Sequence, residues 1–299
     1  RARTPASDDI QTYKVHVFTR KFDAARNVFY HQIVEGCFDF LANNHVHIKV
    51  TYLSYSPKTQ LKIDEADYQM HDAALFIGER VEEVAQEYMR RGKPIVVVDD
   101  LPPDQQTDWI IPDNYSGMMT IVRQFLAHGH RKLAYAGPIH GAIAWEERHH
   151  AFLAILAEHG ITFDKSCHID CVPDFNEASQ ALAAFYAKPA KNRPAGIVCA
   201  NDIIASAAIE QAIKQNLRVP EDVAISGFDH DLTYQLMKPR LTTVSFPRDA
   251  MGREAAYRIL ARLKGESLPG MKIVVPTTFI PGESAGFDIT DNPAGRQSR

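Results

Sequence analysis

Short apolar runs alternate along this chain with longer stretches whose apolar residues recur every three to four positions. VHVF (15–18) is followed by a helical pattern from about Phe29 to Asn43, and then by IKVTYL (48–53). AALFIG (73–78) precedes a helix that Gly92 and Pro94 stop at RRGKP (90–94), and IVVVD (95–99) comes next. DNYSGMMTIVRQFLAHGH (113–130) predicts a capped helix with Val122, Phe125 and Leu126 on one face. The scheme then repeats. KLAYAG (132–137) precedes the helix of WEERHHAFLAILAEHG (145–160), ending at Gly160. CHIDC (167–171) precedes NEASQALAAFYA (176–187), AGIVCA (195–200) precedes NDIIASAAIEQAIKQN (201–216), and VAISGF (223–228) closes the series.

Strand, helix, strand, helix means parallel strands joined by right-handed crossovers, so the chain is expected to be α/β. Two such series predict two doubly wound parallel-sheet subdomains. In open α/β sheets, ligands bind beyond the carboxyl ends of the strands. Asp99, Asn201 and Asp229 stand at three such ends. Their oxygens can accept from paired hydroxyls, as a sugar presents them, and an amide can also donate. Phe29, Tyr30 and Trp145 fall near loops at the same edge, where rings can cover the C–H faces of a sugar. Taken singly, Asp or Asn after a strand is more often a helix cap or an Asx turn. Asp202 is expected to be the cap of its helix; the constellation, not any one residue, carries the inference.

Composition narrows the classes. The chain has 299 residues and a net charge of −4, which is not the clustered positive surface that nucleic acid requires. Cys37 and Cys199 sit in apolar runs and read as buried thiols. Cys167 and Cys171 lack a second pair, so zinc is not indicated, and few scattered cysteines fit a reducing cytoplasm. No run approaches the ~20 apolar residues of a membrane span. No GxGxxG follows a strand, and neither a phosphate-binding GxxxxGK[ST] nor a GxSxG elbow occurs, so an enzyme is not expected. The thirteen histidines contain no HExxH; His45 and His47 are spaced to share one face of a strand, and solvated or core-satisfied histidines are the expected account. No cofactor or metal is expected.

Three longer motifs go further. GHRKLAYAGP (129–138) is similar to G-H-R-x-I-A-x-x-x-G. ANDIIASAAIEQAIKQNLRVPEDVAISGFDHD (200–231) is similar to an A-N-D segment followed by V-P-x-D-V-x-V-x-G-F-D-D. PRLTTVSFPRDAMGREAAYRIL (239–260) is similar to P-x-L-T-T-V followed by M-G-x-x-A. On these residues the chain resembles the lactose-repressor and galactose-repressor family of bacterial transcription regulators over about residues 13–285.

The resemblance implies an effector core of two subdomains, like those of periplasmic sugar-binding proteins, joined by three crossover strands near Pro112, Phe246 and Pro276. It implies an N-terminal subdomain of 13–112 plus 247–275 and a C-terminal subdomain of 113–246 plus 276–287. Residues 1–12 would be a linker remnant and 288–299 a flexible tail. Carried over by motif, Asp99, Arg148, Asn201 and Asp229 would contact a small-molecule effector, most simply a sugar, in a cleft between the subdomains; Phe29 and Tyr30 match an aromatic pair. The implied protein is a homodimeric cytoplasmic repressor that reads operator DNA through a helix-turn-helix headpiece not found in this sequence. The departures are Ala151 for the glycine of R-x-x-G-F, His230 for the second aspartate of G-F-D-D, Gly282 for an arginine in FIPGES (279–284), and a stretch at 54–72 short enough to reduce one helix. The alternative is a transport-type periplasmic sugar-binding protein of the same fold.

Overall fold

The computed structural model describes residues 12–20, 28–53, 63–78, 81–99, 107–189, 193–234, 236–267 and 269–287. The expected linker, apart from Thr12, the expected tail and residues 54–62 lie outside the described residues. In chain order the first elements are β1 (Lys14–Arg20), α1 (Val28–Asn43), β2 (His47–Leu53), α2 (Glu65–Met70), β3 (Ala73–Ile77), α3 (Glu82–Arg90), β4 (Ile95–Val98) and β5 (Asp108–Pro112). There follow α4 (Asn114–Ala127), β6 (Leu133–Ala136), α5 (Ile143–Glu158), β7 (His168–Ile169), α6 (Phe175–Tyr186), β8 (Gly196–Cys199), α7 (Asp202–Lys214) and β9 (Ala224–Ser226). Last come β10 (Thr243–Ser245), α8 (Arg248–Leu263), β11 (Lys272–Val275) and β12 (Thr278–Ile280).

The chain divides into two compact α/β units, 1–110 with 248–273 and 111–247 with 274–299, so it passes three times from one to the other. The first unit carries a sheet of order β11-β5-β4-β3-β1-β2, with β1 to β5 parallel. The second carries a parallel sheet of order β7-β6-β8-β9 and a short antiparallel pair, β10 with β12. The order reverses direction at β1/β3 in one unit and at β6/β8 in the other, which makes each doubly wound. Every residue of β3, β4, β6 and β8 is buried, as strands covered by helices on both faces must be. Asp113 caps α4 by accepting from the Ser116 amide at 2.9 Å, and α2 is a single short helix of 6 residues. His45 is not on a strand: it sits in the turn before β2 with φ 58°, so it shares no strand face with His47. The alternation expected from spacing fails there because the chain is still leaving α1.

In the first unit, α8 lies directly on α1. A Cβ on Gly252 would stand 2.0 Å from the Ile33 carbonyl oxygen, and one on Gly36 would stand 2.1 Å from the Asp249 carbonyl oxygen. The Cys37 thiol, fully buried, donates to the Gly252 carbonyl at 3.1 Å. No side chain fits between these backbones, which is the physical content of the M-G pair in the third motif. Gly252→Ala is expected to force the helices apart and to cost about 2 kcal/mol or more. A lowered urea midpoint at unchanged m-value would show it; an unchanged midpoint would contradict the packing.

Candidate functional site

In the first unit, Phe29 and Tyr30 lie in the first turn of α1, at the carboxyl edge of the sheet. The Tyr30 hydroxyl donates to Asp99 Oδ2 at 3.0 Å, and the two aromatic rings meet edge to face at 4.8 Å. The Arg248 guanidinium stacks on Phe29 at 4.6 Å. Asp99 follows β4 with φ 62°, a left-handed backbone that a non-glycine residue adopts at some cost. Such strain persists where surrounding contacts over-determine it, and it gathers at ligand sites.

In the second unit the group is centred on Arg148. Its side chain is 3% exposed. Nε donates to Asn114 Oδ1 at 2.9 Å, Nη1 to the Ala200 carbonyl at 2.8 Å, and Nη2 to Asp229 Oδ1 at 2.9 Å. The guanidinium lies 3.8 Å over the Phe228 ring and 5.3 Å from that of Trp145, one turn back in α5. Asn114 in turn donates to Glu147 Oε2 at 3.1 Å. Asp229, like Asp99, ends a strand segment in the left-handed region, with φ 105°, and His230 follows at φ 50°. The structure therefore brings Tyr30 to Asp99, and both Trp145 and Asp229 to Arg148, each group within its own unit.

The helix cap expected at Asp202 falls on Asn201 instead. Asn201 has the extended backbone of a cap, with φ −155°, and its Oδ1 accepts from the Ile204 amide at 3.1 Å. Asp202 is already helical, and its carboxyl is drawn off by the Thr243 hydroxyl at 2.6 Å and the Asp231 amide at 2.7 Å. Either member of an Asn-Asp pair caps well, so the dipeptide alone does not decide. The Asn201 oxygen serves the helix, which leaves the amide N–H₂ as the group that could meet a further partner. Burial pushes the Asp202 carboxyl well above the usual carboxylate range, the negative Asp229 adds to this, and the bonds from Thr243 and Asp231 work against it.

Asn114, Phe228 and Thr243 were not singled out from the sequence. Phe228 stands inside G-F-D and could have been suspected as a stacking ring. No spacing links Asn114 to Arg148. Gly282, the departure in FIPGES, packs its Cα against the Leu241 carbonyl, where a Cβ would stand 2.4 Å away, so this backbone has no room for an arginine.

Among the described residues, no group of three His, Cys, Asp or Glu could hold a metal ion, and no helix is long and apolar enough to cross a membrane. Burial, with His71 close by, lowers His16 to about 4, and burial, with His168 close by, lowers His149 to about 4. His16 bonds the Thr51 hydroxyl at 2.7 Å, as a satisfied core histidine does.

The family model described as periplasmic binding protein-like domain matches residues 122–285, more than half of the chain. The repressor CytR of Escherichia coli K12 is 28% identical over 243 residues, covering 80% of this chain and 70% of CytR. The probable repressor ExuR of Bacillus subtilis is 27% identical over 191 residues, covering 64% of this chain and 57% of ExuR. The repressor PurR of Aliivibrio fischeri is 29% identical over 171 residues, 57% of this chain and 51% of PurR. The chain thus spans little more than half the length of the last two. Among solved structures, the CelR–cellobiose complex superposes with a TM-score of 0.78 at 22% identity, covering 91% of this chain and 84% of that one. A LacI-family regulator of Enterococcus faecium with bound ribose gives 0.79 at 19% identity, covering 91% and 98%. The lac repressor dimer bound to operator and an anti-inducer gives 0.76 at 17%, covering 92% and 94%. These likenesses are of fold.

Proposed function

This chain belongs to the periplasmic binding protein-like domain family, and from that premise we propose that it is the effector-binding core of a DNA-binding transcriptional regulator of the lactose- and galactose-repressor type. The observation that supports this best is the Arg148–Asp229 pair, held at the strand ends of the second unit by the Ala200 carbonyl, which directly precedes Asn201, and beside Trp145. Asp99 with Tyr30 forms the counterpart at the strand ends of the first unit. Carboxylate, guanidinium and amide groups flanked by aromatic rings suit a small polyhydroxyl ligand, a sugar above all. The named relatives are repressors, which favours a regulator over a transport-type binding protein or an enzyme.

In the whole protein, a cytoplasmic homodimer would present two DNA-binding headpieces to two half-sites. The effector acts by preferring one of two arrangements of the protein, since only differential affinity shifts an equilibrium. A ~100-fold change in operator affinity requires about 2.7 kcal/mol of coupling. The test is the melting temperature of this chain against sugars, sugar phosphates, polyols and purines. At about 100 times its dissociation constant a ligand adds about 2.7 kcal/mol of stability, several degrees for a chain of this size. One compound class is expected to raise the melting temperature in the wild type and not in Asp229→Asn or Tyr30→Phe. A broad panel without any shift would overturn the reading.

A further inference from the structure

We infer that Asp202 is a positioning residue, whose buried side chain fixes the 228–231 turn and thereby holds the Asp229 carboxylate against Arg148. The inference takes the Arg148–Asp229 pair to be the ligand-facing pair proposed above, but it stands on the geometry of the turn.

Two consecutive non-glycine residues, Asp229 and His230, have positive φ in this turn. Each costs free energy, and the conformation holds only if surrounding bonds fix it. The amides of Asp229, His230 and Asp231 are all tied. Asp229 N donates to the Val244 carbonyl at 2.9 Å, His230 N to Thr243 Oγ1 at 3.2 Å, and Asp231 N to Asp202 Oδ2 at 2.7 Å. Thr243 is itself held by Asp202, since its hydroxyl donates to Oδ1 at 2.6 Å. The Asp202 amide donates to the Phe228 carbonyl at 2.9 Å. Asp202 therefore supplies the tie at one end of the turn, a second through Thr243, and the link at its start.

The fit is close. A Cβ on Gly227 would stand 2.2 Å from Asp202 Oδ1, so this carboxyl requires the glycine of G-F-D. Asp202 is 2% exposed and cannot reach solvent or a ligand itself. Burial, and after it the negative Asp229, raises the Asp202 carboxyl well above the usual carboxylate range. An asparagine in its place can accept from the Asp231 amide through Oδ1 and donate from Nδ2 to the Thr243 hydroxyl, so it keeps both ties with the direction of the second reversed.

The test needs no ligand. The coupling between Arg148 and Asp229 is measured by urea unfolding of wild type, Arg148→Met, Asp229→Asn and the double variant. The cycle is then repeated in Asp202→Asn, Asp202→Ala and Thr243→Val backgrounds. In wild type the pair is expected to shift the unfolding equilibrium at least about tenfold beyond the sum of the single changes. That coupling should persist in Asp202→Asn and fall to within about twofold of none in Asp202→Ala and Thr243→Val. If Asp202→Ala does not fold, Thr243→Val carries the test. A residue that merely supports the fold would lower every member of the cycle equally and leave the coupling intact, and that result would overturn the inference, as would its loss in Asp202→Asn. A ligand panel in which nothing binds would sink the effector reading and leave this coupling as it stands.

Discussion

Replacing Arg148 by alanine is expected to destabilise the chain by about 3–5 kcal/mol, the cost of breaking a buried ion pair from one side. The guanidinium is nearly inaccessible and serves three acceptors on three parts of the second unit: Asn114 at the start of α4, Ala200 at the end of β8, and Asp229 after β9. Removing it takes the Arg148 cation from the Asp229 carboxylate, which is 13% exposed. It also uncovers the face of Phe228. Lysine should recover little, because an ammonium cannot bond three acceptors in the plane of a ring it stacks on. The double change Arg148→Met with Asp229→Asn should be far milder than Arg148→Ala, since no charge is then left unpaired. Urea denaturation at pH 7 measures all three. A loss under about 1 kcal/mol for Arg148→Ala would mean that the pair is hydrated in solution, as surface pairs are, and that it does not organise the strand ends.

Much of this arrangement was legible before the structure. Alternating apolar runs predicted two doubly wound sheets, and the rule that ligands gather at strand carboxyl ends picked out Asp99, Asn201 and Asp229 without any motif. The motifs added Arg148, which lies on a helix 81 residues from Asp229 and has no local signal of its role. What stayed hidden is what depends on backbone conformation. Nothing in IVVVD or SGFDHD announces a positive φ at Asp99, Asp229 and His230. Aspartate tolerates that region better than most residues, but the sequence pattern cannot separate it from an ordinary turn. The fall of the helix cap on Asn201 rather than Asp202 has the same origin. Two equally good capping residues stand side by side, and only the position of Thr243, on another strand, decides which one caps. Asp108 was missed altogether: a lone acid opening DWIIP (108–112) reads as solvated until two arginines from a helix 150 residues later close on it.

Asp108→Asn is the second change expected to cost about 3–5 kcal/mol. Asp108 is 0% exposed in the first unit, at the start of β5. Oδ1 accepts from Arg258 Nη2 at 2.6 Å and from the Met271 amide at 3.1 Å, and Oδ2 accepts from Arg262 Nε at 2.6 Å. One carboxylate thus joins α8, β5 and the approach to β11, and its loss leaves the buried Arg258 cation uncompensated. Burial alone would raise the Asp108 carboxyl, but the hydrogen bonds from Arg258 and Arg262 outweigh it and hold the group below its ordinary value. Because the folded state favours the ionised form, the stability it contributes is full above the unfolded carboxyl value of about 3.9 and is lost as pH falls through the lower folded value. The difference in unfolding free energy between wild type and Asp108→Asn should therefore be constant from pH 7 to about 5 and narrow below about 4. His16 and His149, both lowered to about 4 in the folded chain, destabilise wild type and variant alike as pH falls below 6.5, so they cancel in that difference. A difference that narrowed near pH 6 instead would point to a histidine coupled to this cluster and would contradict the assignment of the two arginines as its only strong partners among the described residues.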